Sequence, residues 1–186
     1  MLEHLYGYFN GTTNVAGIEI VNEPSTGSQI LPSIPGSHYV DTQTLAPFYD
    51  QAAAAIRAVD PTAPIYYETS MFPGQELPIG LGTVNQPGMV LSYHDYTGPI
   101  GLQFAQQYAD AHGITVVVTE FGATNSQTGP LSISASMDPA NQHLVGWTEW
   151  AYTGVNDITT TTALEALVYN PALVRIPHLS AARFTV

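Results

Sequence analysis

Glu23 lies near the end of the run GIEIVNEP, and Glu120 near the end of the run ITVVVTEFG. Each follows an apolar stretch rich in β-branched residues and stands just before a turn-forming Pro or Gly. That spacing predicts two carboxylates at the carboxyl ends of two strands, the edge where parallel α/β sheets build their sites. An ionised side chain seldom closes an apolar strand without a role or a partner. The chemistry open to such a pair is cleavage of a glycosidic bond, in which one carboxyl protonates the leaving oxygen and the other attacks or activates water. By itself Asn-Glu-Pro is also what a plain strand end at a turn looks like, and Glu120 alone would serve as well to cap a sheet end. Two such residues at one edge favour chemistry.

Further groups fall at the same predicted edge. His94 and Tyr96, in LSYHDYTG, end a third apolar run, where they could orient a carboxylate or donate to a sugar hydroxyl. Asp95 between them points to the opposite side, because side chains alternate along a strand. Trp150, in GWTEWAY, offers either core packing or an aromatic face on which the C–H groups of a sugar ring can lie. Alternation makes Trp147 the packing residue, and Glu149 is a supporting carboxylate. The six His are scattered without HxH or HExxH spacing, so no metal site is expected. A GxSxG elbow is missing, and no Gly-rich loop links a strand to a helix, so neither a serine nucleophile nor a nucleotide cofactor is expected.

Those residues need strands and helices to hold them. Short apolar runs bounded by turn residues predict strands at about 16–23, 64–70, 89–94, 114–120 and 144–150. Their near-continuous apolar character suits strands covered on both faces. Residues 1–10 read as a short helix closed by Asn10-Gly11. A second helix, capped by Asp41, Thr42 or Thr44, runs through FYDQAAAAIRAVD to Pro61. A third, about 99–112, carries Leu102, Ala105, Tyr108 and Ala109 on one face and stops at Gly113. A polar loop spans Ser25 to Thr42, only loop material separates the second and third strands, a last helix is expected over Thr159 to Leu167, and an irregular tail follows from Leu173. Alternating strands and helices mean parallel βα units, forming either an open five-stranded sheet or most of a closed barrel.

Composition narrows the partners. The 186 residues are 45% hydrophobic and only 10% charged, with Arg57, Arg175 and Arg183 as the sole cations and a net charge of -12. That leaves no basic footprint for nucleic acid and repels an anionic membrane surface. No run approaches the ~20 apolar residues of a membrane span, so no stable membrane insertion is expected. The opening MLEHLYGYFNG is not a signal peptide, and export of a secreted parent would depend on a segment outside this chain. Without Cys, disulfides, thiol catalysis and thiolate metal sites are excluded.

In order, NEP, SYHDY, TEFG and EWAY at successive strand ends resemble glycoside hydrolase family 5, across about residues 14 to 175. TEFGAT, IYYETSMFPG and the late LVR segment look most similar to its endoglycoceramidase-like branch. The resemblance implies a retaining, endo-acting β-glycosidase with Glu23 as acid/base and Glu120 as nucleophile, the two carboxyls about 5–5.5 Å apart. It further implies that Asn22 holds the sugar hydroxyl beside the anomeric carbon, that His94 and Tyr96 form the sixth-strand pair, and that Trp150 is the sugar platform. The substrate would be an oligosaccharide, either a glucan, or a glycolipid whose lipid meets Met71-Phe72-Pro73 and Leu77 to Leu81, unless those loops pack inward. The motifs match the fourth to eighth strands of a (β/α)8 TIM barrel, so residues 1–186 read as one domain, the carboxyl-terminal part of that barrel. The family's arginine and histidine from the first three strands have no counterpart to assign. The alternative is an inactive sugar-binding remnant, or a subunit completed by a partner, with self-association through the open sheet edges.

Overall fold

In the computed structural model, five strands alternate with helices and form one sheet in the order β1-β2-β3-β4-β5. The structure describes residues 1–29, 37–70, 78–96, 99–122 and 133–150. The expected helix at Thr159 to Leu167, the tail from Leu173, and Met71-Phe72-Pro73 with Leu77 lie outside them. Strands pair in parallel: β1 (Ile18–Glu19) with β2 (Ile65–Tyr67), β2 with β3 (Met89–Asp95), and β4 (Thr115–Phe121) with β5 (Gly146–Trp147). Chain order equals sheet order. A doubly wound sheet reverses direction at a switch point, whereas a (β/α)8 barrel adds each strand beside the last. The fold is therefore α/β, part of a TIM barrel, and the open-sheet alternative falls.

Two compact units divide the chain, Met1–Ser92 with Gln103–Val116, and Tyr93–Leu102 with Val117–Val186. In the first, α1 (Leu2–Phe9) presents Tyr6, whose hydroxyl donates to the carbonyls of Ile18 at 2.9 Å and Pro64 at 3.3 Å. This bond ties the helix to the starts of β1 and β2, and burial pushes the Tyr6 phenol up to about 12. Helix α2 (Ala46–Arg57) buries Ala46, Tyr49, Ala52, Ala53 and Ile56, the spacing of one helical face. Tyr49 meets Tyr67 of β2 edge-on at 5.4 Å, a favoured aromatic geometry. The Tyr67 and Tyr108 hydroxyls lie 3.2 Å apart, and Tyr108 donates to the Gly82 carbonyl at 2.6 Å. Since each phenol has a single proton and that of Tyr108 goes to Gly82, Tyr67 donates to Tyr108.

Helix α3 (Pro99–His112) matches the expected span, with Leu102, Ala105, Tyr108 and Ala109 buried. Pro99 opens it, and Gly113 at φ +63 lets the chain turn so that Ile114 N–H reaches the Ala109 carbonyl. In the second unit, Trp147 of β5 packs edge-on against Phe121 of β4 at 5.5 Å. Its indole N–H donates to Asn141 of α4 (Ile133–Gln142) at 3.2 Å. Among the described residues, no helix is long and apolar enough to cross a membrane.

Several expectations need correction. The segment expected as strand over 16–23 is ladder-paired only at Ile18–Glu19, because Glu23 adopts φ +45 and Pro24 has no N–H to give. That over 144–150 contracts to Gly146–Trp147, although Thr148 and Trp150 still donate N–H bonds to the Val118 and Phe121 carbonyls. Asp41 does not cap α2. It lies in a π-helical turn (Asp41–Leu45) and is spent on the loop after β2, accepting from Thr69 Oγ1 at 3.1 Å and Ser70 N at 2.8 Å. Of the two fates open to Leu77 to Leu81, a lipid or inward packing, Leu81 takes the second: it is 0% exposed and belongs to the core.

Candidate active site

β4 carries Glu120 near its carboxyl end, where β-branched Thr115 to Thr119 favour extended backbone. The Tyr96 hydroxyl donates to Glu120 Oε2 at 3.0 Å. His94 Nδ1 lies 3.5 Å from the same oxygen, its ring fully enclosed. Residues 94 and 96 share one face of the chain leaving β3, so the strand's two-residue period delivers both to one carboxylate. Asp95 is also buried rather than turned to solvent. With Oε2 engaged, the carboxylate plane is set, and its other oxygen can be presented in a defined direction.

Trp150 follows β5. Its side chain is 64% exposed, the accessibility a sugar platform needs, and its backbone N–H bonds the Phe121 carbonyl at 2.8 Å. The Trp150 carbonyl sits directly over Gly122, where any added Cβ would collide with it. Gly122 is thus required by close approach of two backbones. Glu149 is half-buried.

Asn22 and Glu23 belong to the first unit, in the turn beyond β1. Asn22 is exposed, and the Glu23 backbone is left-handed at φ +45. The Glu23 N–H is taken by the carboxylate of Glu68, which directly follows β2 and is 2% exposed. Within the sheet, Ser92 Oγ of β3 donates to Glu19 Oε1 of β1 at 2.7 Å. A side-chain bond between alternate strands is how a barrel interior is layered. Burial pushes the Tyr49 phenol up, and the negative charges of Glu68, Glu19 and Asp41 add to the effect.

Sequence reasoning passed over Glu68 and Glu19. A signal for Glu68 was present: like Glu23 and Glu120 it is a carboxylate following an apolar run, IYY, before turn residues. Glu19 gave none, since a single acid inside GIEIV reads as ordinary alternation.

Carboxylates at the carboxyl ends of parallel strands, one of them held by a histidine and a tyrosine, on a partial (β/α)8 barrel, define a protein of the glycoside hydrolase class. The model of the family Cellulase (glycosyl hydrolase family 5) matches residues 3–156. The chain belongs to that family. It is 26% identical over 170 residues to Endoglycoceramidase I of Rhodococcus hoagii (strain 103S), covering 76% of this chain and 34% of that protein. It is 29% identical over 154 residues to an endoglycoceramidase of Cyanea nozakii, covering 77% of this chain and 31% of that protein. The chain thus spans about a third of the length of these relatives. Among solved structures, endo-glycoceramidase II from Rhodococcus sp. superposes with a TM-score of 0.66 at 18% identity, over 89% of this chain and 43% of that one. That enzyme has also been solved as a complex with ganglioside GM3.

Proposed function

We propose that this chain carries the catalytic carboxylates of a retaining, endo-acting β-glycosidase whose substrate is a glycosphingolipid, with a glucan as the competing substrate. The observation that carries the reading is the fixing of Glu120 Oε2 by Tyr96 and His94. A nucleophile must keep one oxygen aimed at the anomeric carbon, and the Tyr96 hydroxyl donating to the other oxygen, with the His94 ring beside it, does that work. In this reading Glu120 attacks, the glycosidic C–O bond breaks, and the leaving oxygen takes its proton from Glu23. Water then enters, gives its proton back to Glu23, and releases the sugar from Glu120 with net retention. Asn22 holds the hydroxyl beside the anomeric carbon, and Trp150 carries the ring. The endoglycoceramidase relatives support the glycolipid over the glucan, and an acidic chain with few charged residues suits a neutral sugar.

The test is covalent trapping. A dinitrophenyl β-glucoside fluorinated beside the anomeric carbon leaves a long-lived ester on a retaining nucleophile. The expected result is one sugar mass added to the chain, mapped to the peptide containing Glu120 and missing from Glu120→Gln. An ester on another residue, or turnover with inversion of configuration, would overturn the assignment. Parallel incubations with a glycosphingolipid and a β-glucan assign the substrate by which one releases oligosaccharide.

A further inference from the structure

Glu23 stands in a conformation that its surroundings must enforce. A non-glycine residue at φ +45 is in the left-handed region, which costs of order 1–3 kcal/mol. The residue is also followed by Pro24, whose ring favours extended backbone in the residue before it. Both local preferences oppose the geometry seen. What opposes them in turn is the carboxylate of Glu68, buried after β2, which accepts the Glu23 N–H. A charged acceptor in a water-poor setting makes the strongest kind of backbone hydrogen bond.

From this geometry we infer that Glu68 is a positioning residue: by holding the Glu23 amide it fixes the left-handed turn that aims the Glu23 side chain as proton donor. The inference rests on the reading of Glu23 as acid/base. Glu68 is chosen by its contact and not by its charge alone. A buried carboxylate whose role was only to satisfy the loop after β2 would have no reason to cross to the turn after β1, which is where its Oε2 is engaged. That contact couples two loops at the carboxyl edge of neighbouring parallel strands.

Two measurements test it on the full chain. The first needs no turnover. In Glu68→Met, a variant of similar length without an acceptor, the Glu23 amide proton should move upfield in NMR spectra and exchange at least about tenfold faster, as expected when a charged hydrogen bond is lost. In Glu68→Gln, whose amide oxygen still accepts, it should stay closer to the parent. An unmoved Glu23 amide in Glu68→Met overturns the contact.

The second uses leaving groups. General acid catalysis contributes about a hundredfold or more where the leaving oxygen needs a proton. It contributes little for a glycosyl fluoride, whose leaving group departs unaided. For Glu68→Met, kcat/KM should therefore fall about tenfold to a hundredfold on an alkyl β-glycoside and less than about threefold on the fluoride. Glu68→Gln should recover at least about tenfold of that loss. Equal losses on both substrates mean general damage and overturn the inference. Glu23→Ala is the control: if it shows the leaving-group dependence and Glu68→Met does not, the inference fails and the acid/base reading survives. If Glu23→Ala itself loses equally on both, the acid/base reading fails and takes the inference with it.

Discussion

Tyr96 donates its hydroxyl proton to Glu120 Oε2 at 3.0 Å. The bond joins the chain leaving β3 to the end of β4, and His94 Nδ1 meets the same oxygen at 3.5 Å. One oxygen of the carboxylate is thereby committed, and under the proposed function the other is the one that attacks.

Removing the held contact should slow attack without emptying the site. A hydrogen bond to a charged group is worth about 1.5–3 kcal/mol, and about 1.4 kcal/mol is tenfold in rate. Tyr96→Phe is therefore expected to lower kcat by about tenfold to a hundredfold, with KM within about threefold. Glu120→Gln should remove turnover altogether. Steady-state kinetics on an aryl β-glucoside give both numbers, and a Tyr96→Phe enzyme with parental kcat would show that the bond does not orient the nucleophile.

Gly122 predicts a coupling between backbone packing and the exposed Trp150 ring. A methyl at this position collides with the Trp150 carbonyl, which is rigid backbone. Gly122→Ala should push the Trp150 segment away, weakening the N–H bond to Phe121. The expected outcome is a shift in tryptophan fluorescence together with a KM raised by about tenfold, the cost of misplacing a binding surface. Unchanged fluorescence and KM would mean that the segment yields freely.

Alkaline pH should unfold the first unit through its buried phenols. Desolvation raises Tyr6, Tyr49, Tyr67 and Tyr108 above the ordinary value of 10.0, Tyr6 to about 12. Their folded values exceed the unfolded one, so the folded chain keeps protons that the unfolded chain loses. Their contribution is complete below about pH 10 and is lost as pH climbs through the raised values, by up to about 1.4 kcal/mol per pH unit for each phenol. Urea midpoints followed by circular dichroism from about pH 8 upward should stay flat and then drop. Tyr67→Phe should cost about 1 kcal/mol at neutral pH through its lost hydrogen bond and make the later drop shallower. A slope identical to the parent would exclude Tyr67 from the linkage.

Much of this molecule was legible residue by residue. Local signals suffice where an element is specified within itself. Helix α3 begins at Pro99 and ends at Gly113, with an apolar face between, so its bounds needed no partner. The long strands β3, a mostly apolar run, and β4, rich in β-branched residues, fell within one residue of expectation. The carboxylates Glu23 and Glu120 and the pair His94 and Tyr96 stood out because ionisable groups after apolar runs are rare.

What tertiary structure decided was everything that depends on a second segment. Whether the strands made an open sheet or part of a barrel is a matter of which strand lies beside which, and no local pattern encodes neighbour order. β1 and β5 shrank to two paired residues each because a ladder needs its partner's register as well as its own propensity. Asp41 reads as a helix cap until the loop carrying Thr69 and Ser70 arrives to claim it. Leu81 reads equally as a lipid contact or as packing until the core closes on it. Glu68 is one acid among fifteen acidic residues in the sequence, and only the fold brings its carboxylate to the Glu23 amide. Residue types and their periods are properties of one stretch of chain. Hydrogen-bond partners more than a turn away belong to the folded state, because only burial removes the water that would otherwise satisfy each group.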